Sequence, residues 1–132
     1  MNKTALIELA KKAMQNSYSP YSKFKVGAAL LCSDESVYIG CNVENSSFGG
    51  TNCAERTAIF SAIADGKRNF EMMAVVGSSN GCVESFTPPC GICRQVMSEF
   101  CNENFEVILT NGNEIKSLTI EELLPLPFQS FK

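Results

Sequence analysis

Four residues in two short segments have the types and spacing to do chemistry. Cys53 and Glu55 lie two residues apart in Cys-Ala-Glu-Arg, and Cys90 and Cys93 form a Cys-x-x-Cys pair directly after two prolines. At the start of a helix, thiols three residues apart face the same way and can share one tetrahedral metal ion. A redox pair or a chance spacing also fits a lone Cys-x-x-Cys, but metal binding is the favoured interpretation.

Cys53 supplies a third thiol at the start of a second predicted helix. Three protein ligands and one open position are typical of a catalytic zinc site, whereas a structural zinc takes a fourth protein ligand. The other cysteines could supply that ligand, although a lone cysteine is more often a small buried apolar residue. They are Cys32, Cys41, Cys82 and Cys101. The pattern favours a catalytic metal and leaves a closed structural site open.

The composition argues against several classes of function. The chain has 132 residues, with 11 Lys and Arg against 14 Asp and Glu, and it contains no histidine. Without histidine there is neither a Ser-His-Asp triad nor an imidazole ligand for zinc. A net charge of −3 without a basic block argues against nucleic acid as a partner.

Length and cysteine usage indicate a small intracellular protein. We expect a single domain over residues 1–132, because domains average roughly 150 residues. No apolar run approaches the length of a signal core or a membrane span, so we expect no membrane partner. Seven cysteines cannot all pair internally, and clustered thiols in a reducing compartment are more often metal ligands or catalytic groups. We therefore expect a cytoplasmic protein.

The predicted elements must position these side chains. Apolar residues recur at helical spacing in 4–16, 53–64 and 91–100, while 24–32, 37–43 and the apolar run 74–77 are typical of strands. Strands over 105–110 and 114–116 flank Asn111-Gly112, a hairpin signal that predicts antiparallel pairing. Thr119 and Glu122 have the spacing of a capping box. This order predicts an α/β fold in which helices cover the faces of a five-stranded sheet.

Six segments of the chain form a wider set of motifs. They are 18–24 (YSPYSKF), 26–30 (VGAAL), 40–45 (GCNVEN), 53–58 (CAERTA), 89–95 (PCGICRQ) and 121–125 (EELLP). Together these segments are similar to the zinc-dependent cytidine deaminases of the short, all-cysteine, homotetrameric type. The resemblance covers nearly the whole chain, and it implies a three-layer α/β/α fold with a five-stranded mixed sheet.

The resemblance implies a role for each residue around the thiols. Cys53, Cys90 and Cys93 would hold one zinc ion per chain, and Arg56 would compensate the charge of their thiolates. Glu55 would shuttle protons while hydroxide from water activated at the zinc adds to C4 of cytosine. In isolation, Glu55 would be read as a first-turn glutamate that stabilises the helix dipole.

The resemblance also assigns the substrate contacts. Asn42 and Glu44, which share a face of an extended segment, would hold the ribose 3′-hydroxyl. Phe24 would lie against the pyrimidine ring, and the backbone around Ala54 would meet its polar edge. Neighbouring subunits of a homotetramer would complete each pocket with three further residues. These are Ser46, Phe48 and Phe128.

The sequence therefore predicts an enzyme that deaminates cytidine and 2′-deoxycytidine to uridine and 2′-deoxyuridine plus ammonia in pyrimidine salvage. Its partner would be a small nucleoside. Three alternatives stay open: a same-fold deaminase of another aminopyrimidine nucleoside such as blasticidin S, a non-catalytic structural zinc module, and a thiol-disulfide enzyme. Deaminases that edit nucleic acid are disfavoured, because the predicted hairpin leaves no helix between the last two strands.

Overall fold

The amphipathic and β-rich segments of the sequence form four α-helices and five strands within residues 1–129, which are the residues that the computed structural model describes. The helices are α1 (Lys3–Met14), α2 (Ala54–Ala64), α3 (Gly91–Phe100) and α4 (Ile120–Leu123). The strands are β1 (Lys25–Cys32), β2 (Val37–Cys41), β3 (Phe70–Ser78), β4 (Glu106–Thr110) and β5 (Ile115–Thr119). A single 3₁₀ turn, Phe48–Gly50, lies in the glycine-rich loop before α2.

The five strands form one mixed sheet in the order β2-β1-β3-β4-β5. The apolar segment predicted to be a central strand is β3, which pairs antiparallel with β1 and parallel with β4. β5 runs antiparallel to β4, with Glu106 opposite Thr119 and Thr110 opposite Ile115. β3 is longer than the predicted run because Phe70, Met72 and Met73, which precede that run, also pair with β1.

The helices cover both faces of the sheet, which confirms the predicted α/β class with a five-stranded mixed sheet. On one face, α1 packs Leu6, Ala10 and Met14 against buried residues of β1, β3 and β4. On the other face, α2 and α3 bury Ala58, Ile59 and other apolar residues against the same strands. Alternate residues of the central strands enter opposite cores, since successive side chains of a strand point to opposite faces.

The N-termini of α2 and α3 carry the cysteine motifs. Cys53 is the N-cap of α2 and Cys90 is the N-cap of α3. Both helices therefore begin one residue after a cysteine, in agreement with the predicted helix starts at the two motifs. The Pro88-Pro89 pair lies just before α3, where proline is tolerated because the first helical amides need no intrahelical partner.

Gly40 allows α2 to approach the sheet closely. A Cβ atom at Gly40 would lie 2.5 Å from the Ala54 carbonyl oxygen and 2.6 Å from the Ala58 nitrogen. The backbone of α2 is therefore in contact with β2 beside the first turn of the helix. This contact holds the Cys53 end of α2 against the end of β2.

No helix within residues 1–129 is long and apolar enough to cross a membrane.

Candidate metal centre and active site

Three thiols from two helix starts converge at one point. The sulfur atoms of Cys53, Cys90 and Cys93 all lie within 4.8 Å of one another. The Cys53 and Cys90 sulfurs are 3.6 Å apart, although these residues are separated by 37 positions in the chain. Cys93 is buried and Cys90 is exposed, so the cluster lies at the boundary between the hydrophobic core and the protein surface. The fold therefore brings together the three predicted metal ligands.

This donor set fits a zinc ion. Zinc–sulfur bonds of about 2.3 Å in tetrahedral geometry place the sulfurs about 3.8 Å apart, close to the observed Cys53–Cys90 separation. The first turn of α3 also directs the Cys93 amide toward the Cys90 sulfur at 3.5 Å, and unpaired amides at helix N-termini favour anionic ligands. Within residues 1–129, the metal-ligating groups of this cluster are these three thiols alone. Three thiols leave one tetrahedral position for a non-protein ligand.

Arg56 supplies positive charge to the cluster. Its Nη2 atom donates to the Cys53 sulfur at 3.2 Å and to the Thr51 carbonyl oxygen at 3.2 Å. The Nε atom is buried and has no hydrogen-bond partner within the described part of the chain. A guanidinium held against a sulfur is suited to offset the charge of thiolates.

The thiols share their protons unequally. A hydrogen bond from Cys93, supported by Arg56 and Cys90, lowers the pKa of Cys53 to about 5. The same Cys93–Cys53 hydrogen bond, together with burial, raises the pKa of Cys93 far above its ordinary value. Of this pair, Cys53 therefore loses its proton more readily than Cys93. A bound metal cation would displace the protons of the thiols that hold it.

Glu55 is a buried carboxyl beside the thiols. It lies in the first turn of α2 and is only 3 % exposed. Burial raises the pKa of Glu55 to about 7, and the negative charge of Cys53 adds to this effect. A carboxyl with a pKa near neutrality can both accept and release a proton at physiological pH.

Asn42 lies just beyond β2 and is held by three hydrogen bonds. Its Oδ1 accepts from the Val26 amide at 2.9 Å and from the Ser17 hydroxyl. Its Nδ2 donates to the Phe24 carbonyl oxygen at 2.9 Å. An amide nitrogen has two protons, so one donor of the Asn42 side chain is left for a ligand.

Glu44 is also buried and tightly held. Its Oε1 accepts from the backbone amides of Tyr21 at 3.0 Å and Ser22 at 3.1 Å, and its Oε2 accepts from the Ser22 hydroxyl. Although burial opposes ionisation, these hydrogen bonds hold the pKa of Glu44 below its ordinary value. Glu44 is therefore a fixed carboxylate with remaining acceptor capacity.

Backbone pairing joins this segment to the metal cluster. Val43, which lies between Asn42 and Glu44, exchanges two backbone hydrogen bonds with Asn52, at 2.9 and 3.0 Å. Asn52 directly precedes Cys53, and Ala54 follows as the first, fully buried residue of α2. The backbone pair Val43–Asn52 thus connects the predicted sugar-binding segment directly to the residue before the predicted metal ligand Cys53.

The predicted aromatic contact, Phe24, lies where β1 begins. It is 37 % exposed, and a Cβ atom at Gly77 would lie 2.8 Å from two of its ring carbons. The ring therefore rests on Gly77 at the end of β3 and keeps part of its surface accessible. The Phe24 carbonyl is the group that Asn42 contacts, so base and sugar candidates are adjacent.

The three residues predicted to act on a neighbouring subunit are on the surface. Tyr21 brings two of them together: its hydroxyl lies 2.8 Å from the Ser46 Oγ, and its ring packs edge-on against Phe48 with centroids 6.1 Å apart. Phe128 is exposed beside α3, where its carbonyl accepts from Gln95 at 2.6 Å.

Reasoning from sequence missed the residues that hold this site in place. Tyr21 and Ser22 hold Glu44, and Ser17 holds Asn42. All three lie in or next to the 18–24 segment that carries part of the resemblance, which was the available signal. Their roles depend on contacts more than 20 positions away along the chain, so spacing could not assign them.

The fold, the thiol cluster and the buried carboxyl agree with comparisons to known proteins. Residues 1–109 match the family described as the cytidine and deoxycytidylate deaminase zinc-binding region. The chain belongs to this cytidine and deoxycytidylate deaminase family.

Among individual relatives, two cytidine deaminases are more similar to the chain than a blasticidin-S deaminase is. The chain is 51 % identical over 129 residues to cytidine deaminase of Sporosarcina psychrophila, covering 97 % of this chain and 92 % of the relative. The crystal structure of cytidine deaminase from Burkholderia pseudomallei superposes with a TM-score of 0.89 at 50 % identity, covering 97 % of this chain and 100 % of that one. Blasticidin-S deaminase of Bacillus cereus is 32 % identical over 127 residues, covering 93 % of this chain and 89 % of the relative.

Proposed function

We propose that this protein is a zinc-dependent cytidine deaminase that converts cytidine and 2′-deoxycytidine to uridine and 2′-deoxyuridine, releasing ammonia. The observation that carries the proposal is the position of the buried Glu55 carboxyl on the helix turn that Cys53 caps, beside two further thiols. The reaction consumes one water and replaces the C4 amino group of the base by oxygen. The similarity to cytidine deaminases over nearly the whole chain supports this substrate class.

The metal site is formed by Cys53, Cys90 and Cys93. Zinc bound there would lower the pKa of a water molecule, so that this water could lose a proton and attack C4 of cytosine at neutral pH. Arg56 offsets the negative charge of the thiolates, because its guanidinium contacts the Cys53 sulfur. Without that charge, three thiolates would reduce the Lewis acidity of the ion.

Glu55 moves the protons of the reaction. Its carboxylate takes a proton from the attacking water and gives it to N3 of the cytosine ring. It then carries the second proton of that water to the departing amino group, which leaves as ammonia. Because burial raises its pKa to about 7, the Glu55 carboxyl can both accept and release a proton near neutral pH.

The substrate contacts follow from the groups that remain available. The free Asn42 N–H can donate a hydrogen bond to the oxygen of the sugar 3′-hydroxyl, and the Glu44 carboxylate can accept a hydrogen bond from the same hydroxyl. A hydroxyl group both donates and accepts hydrogen bonds, so the two side chains together match it. The accessible part of the Phe24 ring can lie against the pyrimidine. The backbone at Ala54 can meet the polar edge of the base, because it directly follows Cys53.

We propose further that residues 1–132 form one catalytic domain and that the enzyme assembles as a homotetramer in the cytoplasm, where it serves pyrimidine salvage. Ser46, Phe48 and Phe128 would then complete the pocket of a neighbouring subunit. Their exposure supports this assignment, since each has surface left for a partner.

The test is to follow ammonia release and ultraviolet absorbance with cytidine and 2′-deoxycytidine, and to measure zinc in the same sample. We expect turnover of both nucleosides and about one zinc per chain. Removing zinc with a chelator should abolish turnover, and adding zinc back should restore it. Full zinc occupancy without turnover would instead support the non-catalytic zinc module, and a reversible Cys90–Cys93 disulfide insensitive to zinc would support the thiol-disulfide enzyme.

The second candidate is a deaminase of blasticidin S, favoured by the 32 % identity to the Bacillus cereus enzyme. The same assay with blasticidin S separates the two candidates. We expect the cytidines to give the higher kcat/KM, because Asn42 and Glu44 match the 3′-hydroxyl of a nucleoside sugar.

A further inference from the structure

The first turn of α2 is bonded to the end of β2 through one side chain, that of Thr57. Its Oγ1 lies 3.1 Å from the carbonyl oxygen of Cys41, the last residue of β2, and 3.2 Å from the carbonyl oxygen of Cys53. It also accepts a hydrogen bond from the Asn52 Nδ2 at 2.9 Å. One hydroxyl therefore contacts both chain segments that flank the proposed active site.

These contacts join two parts of the site that have different tasks. Cys41 directly precedes Asn42, which begins the proposed sugar-binding segment 42–44, and Cys53 is a proposed metal ligand. The Val43–Asn52 backbone bridge pairs the same two segments once more. The Thr57 hydroxyl adds a second connection between these segments, because it accepts a hydrogen bond from Asn52 and donates one to the Cys41 carbonyl oxygen.

The packing around Thr57 supports a precise fit. A Cβ atom at Gly40 would lie 3.0 Å from the Thr57 Cβ and 2.5 Å from the Ala54 carbonyl oxygen. The absence of a side chain at Gly40 is what allows α2 to come close enough for Thr57 to reach Cys41. Two independent features therefore bring the helix start to the strand end, a glycine contact and a shared hydroxyl.

We infer that Thr57 is a positioning residue that sets the distance between the sugar-binding segment 42–44 and the metal ligand Cys53, an inference that rests on the function proposed above. A nucleoside held by its 3′-hydroxyl reaches the metal site with C4 in place only if this distance is fixed. Binding energy from the sugar then contributes to turnover as well as to affinity. Thr57 touches neither substrate nor metal in this arrangement.

The experiment compares 2′-deoxycytidine with 2′,3′-dideoxycytidine, which lacks only the 3′-hydroxyl. The measured quantity is the 3′-hydroxyl preference, the ratio of the two kcat/KM values. We expect at least about a 100-fold preference in the native enzyme, because buried polar groups built for a hydroxyl reject an analogue without it. Thr57→Val keeps the side-chain shape but removes the hydroxyl, and should lower the preference about tenfold, mostly through kcat.

Three further variants separate positioning from folding. Thr57→Ser restores the hydroxyl and should restore the preference. Ser61→Ala removes a hydroxyl that bonds the Thr57 carbonyl at 2.8 Å one turn further along α2, and should leave the preference unchanged. Asn52→Leu removes the donor to Thr57 and should lower the preference in the same direction, which keeps the inference testable if Thr57→Val folds poorly.

Two readouts do not depend on turnover. Zinc content should stay at the native value in Thr57→Val, and the calorimetric binding advantage of 2′-deoxyuridine over 2′,3′-dideoxyuridine should fall less than the kcat/KM preference, because the loss is expected mostly in kcat. Equal losses for both nucleosides, with an unchanged preference, would overturn the inference and leave Thr57 a purely structural residue. Absence of ammonia release by the native enzyme would be a different result, because the proposed function itself would fail and the inference with it.

Discussion

The guanidinium of Arg56 contacts the sulfur of Cys53 at 3.2 Å, one helical turn from the cap position that Cys53 occupies. The same nitrogen is held by the Thr51 carbonyl oxygen, so the side chain is fixed from both sides. The contact places the permanent positive charge of Arg56 beside the Cys53 thiol, which loses its proton when it binds metal. It also explains part of the lowered pKa of Cys53, after the larger effect of the hydrogen bond from Cys93.

Replacing Arg56 by Gln should lower kcat for cytidine about tenfold or more, because a charge-assisted hydrogen bond to the thiolate is lost. When both proteins are metal-free, Cys53 should also titrate at a higher pH in Arg56→Gln than in the native chain. Kinetics and the ultraviolet absorbance of the thiolate measure the two effects. Arg56→Lys is the matched control that keeps the charge, and it should retain more activity than Arg56→Gln; equal activity in both would contradict charge compensation.

Replacing Glu55 by Gln should reduce kcat at least about 100-fold, because the isosteric amide cannot carry a proton. Zinc content should remain about one per chain, since Glu55 is not a proposed ligand. Glu121→Gln serves as the control, because Glu121 also lies in the first turn of a helix, but on the surface and outside the thiol cluster. Turnover in Glu55→Gln close to native would remove this residue from the mechanism.

Replacing Gly40 by Ala should destabilise the fold by about 3 kcal/mol, as overpacking against backbone atoms does. The added Cβ would meet the Ala54 carbonyl oxygen and the Ala58 nitrogen, neither of which can rotate away. Gly49→Ala is the control, because no atom lies within 4 Å of a Cβ built there. Urea denaturation of the two variants measures the difference, and equal midpoints would show that the contact of α2 with β2 is looser than the distances at Gly40 indicate.

Cys101 should make stability depend on pH in the alkaline range. Burial raises its pKa from 9.0 to about 12, so between these values the unfolded chain has lost a proton that the folded chain keeps. The stabilising contribution is therefore complete below pH 9 and is lost as the pH rises toward 12. Denaturation midpoints of the native chain and Cys101→Ala, compared across this range, should converge on the alkaline side.

The same burial predicts unequal thiol reactivity. In the folded protein, iodoacetamide should modify the exposed Cys82 well before Cys101, as mass spectrometry of the labelled chain would show. Labelling of Cys101 at the rate of Cys82 would indicate that its thiol is not protected.

Helix starts and ends were the most predictable features of the fold. The spacing of apolar residues, with Pro88-Pro89 before the second cysteine motif, predicted a helix over 91–100, and α3 has these bounds. The capping box of Thr119 and Glu122 is formed as predicted. Local signals succeed here because the hydrogen bonds concerned join residues three or four positions apart.

Strand lengths were less predictable than helix bounds. The run predicted over 37–43 ends at Cys41 in β2, because Val43 pairs with Asn52 outside the sheet. Conversely, β3 begins four residues before its apolar run. Strand ends are set by the partner strand, whose position a single segment does not encode.

The sequence by itself determined which groups can react and where the helices that carry them begin. It placed thiols at two helix N-termini, a carboxyl and a guanidinium in the first turn of one of them, and it excluded imidazole chemistry. Its motifs also predicted the family to which the chain belongs. These features are local, because residue type and helical spacing are properties of short segments.

Only the tertiary structure decided how these groups are arranged in space. It brought the Cys53 and Cys90 sulfurs to 3.6 Å, buried Glu55, and joined the 42–44 segment to α2 through Thr57. The last of these relationships depends on packing α2 against β2, with Gly40 at the contact. Such distances follow from the close packing of many residues far apart in sequence, which no short segment specifies on its own.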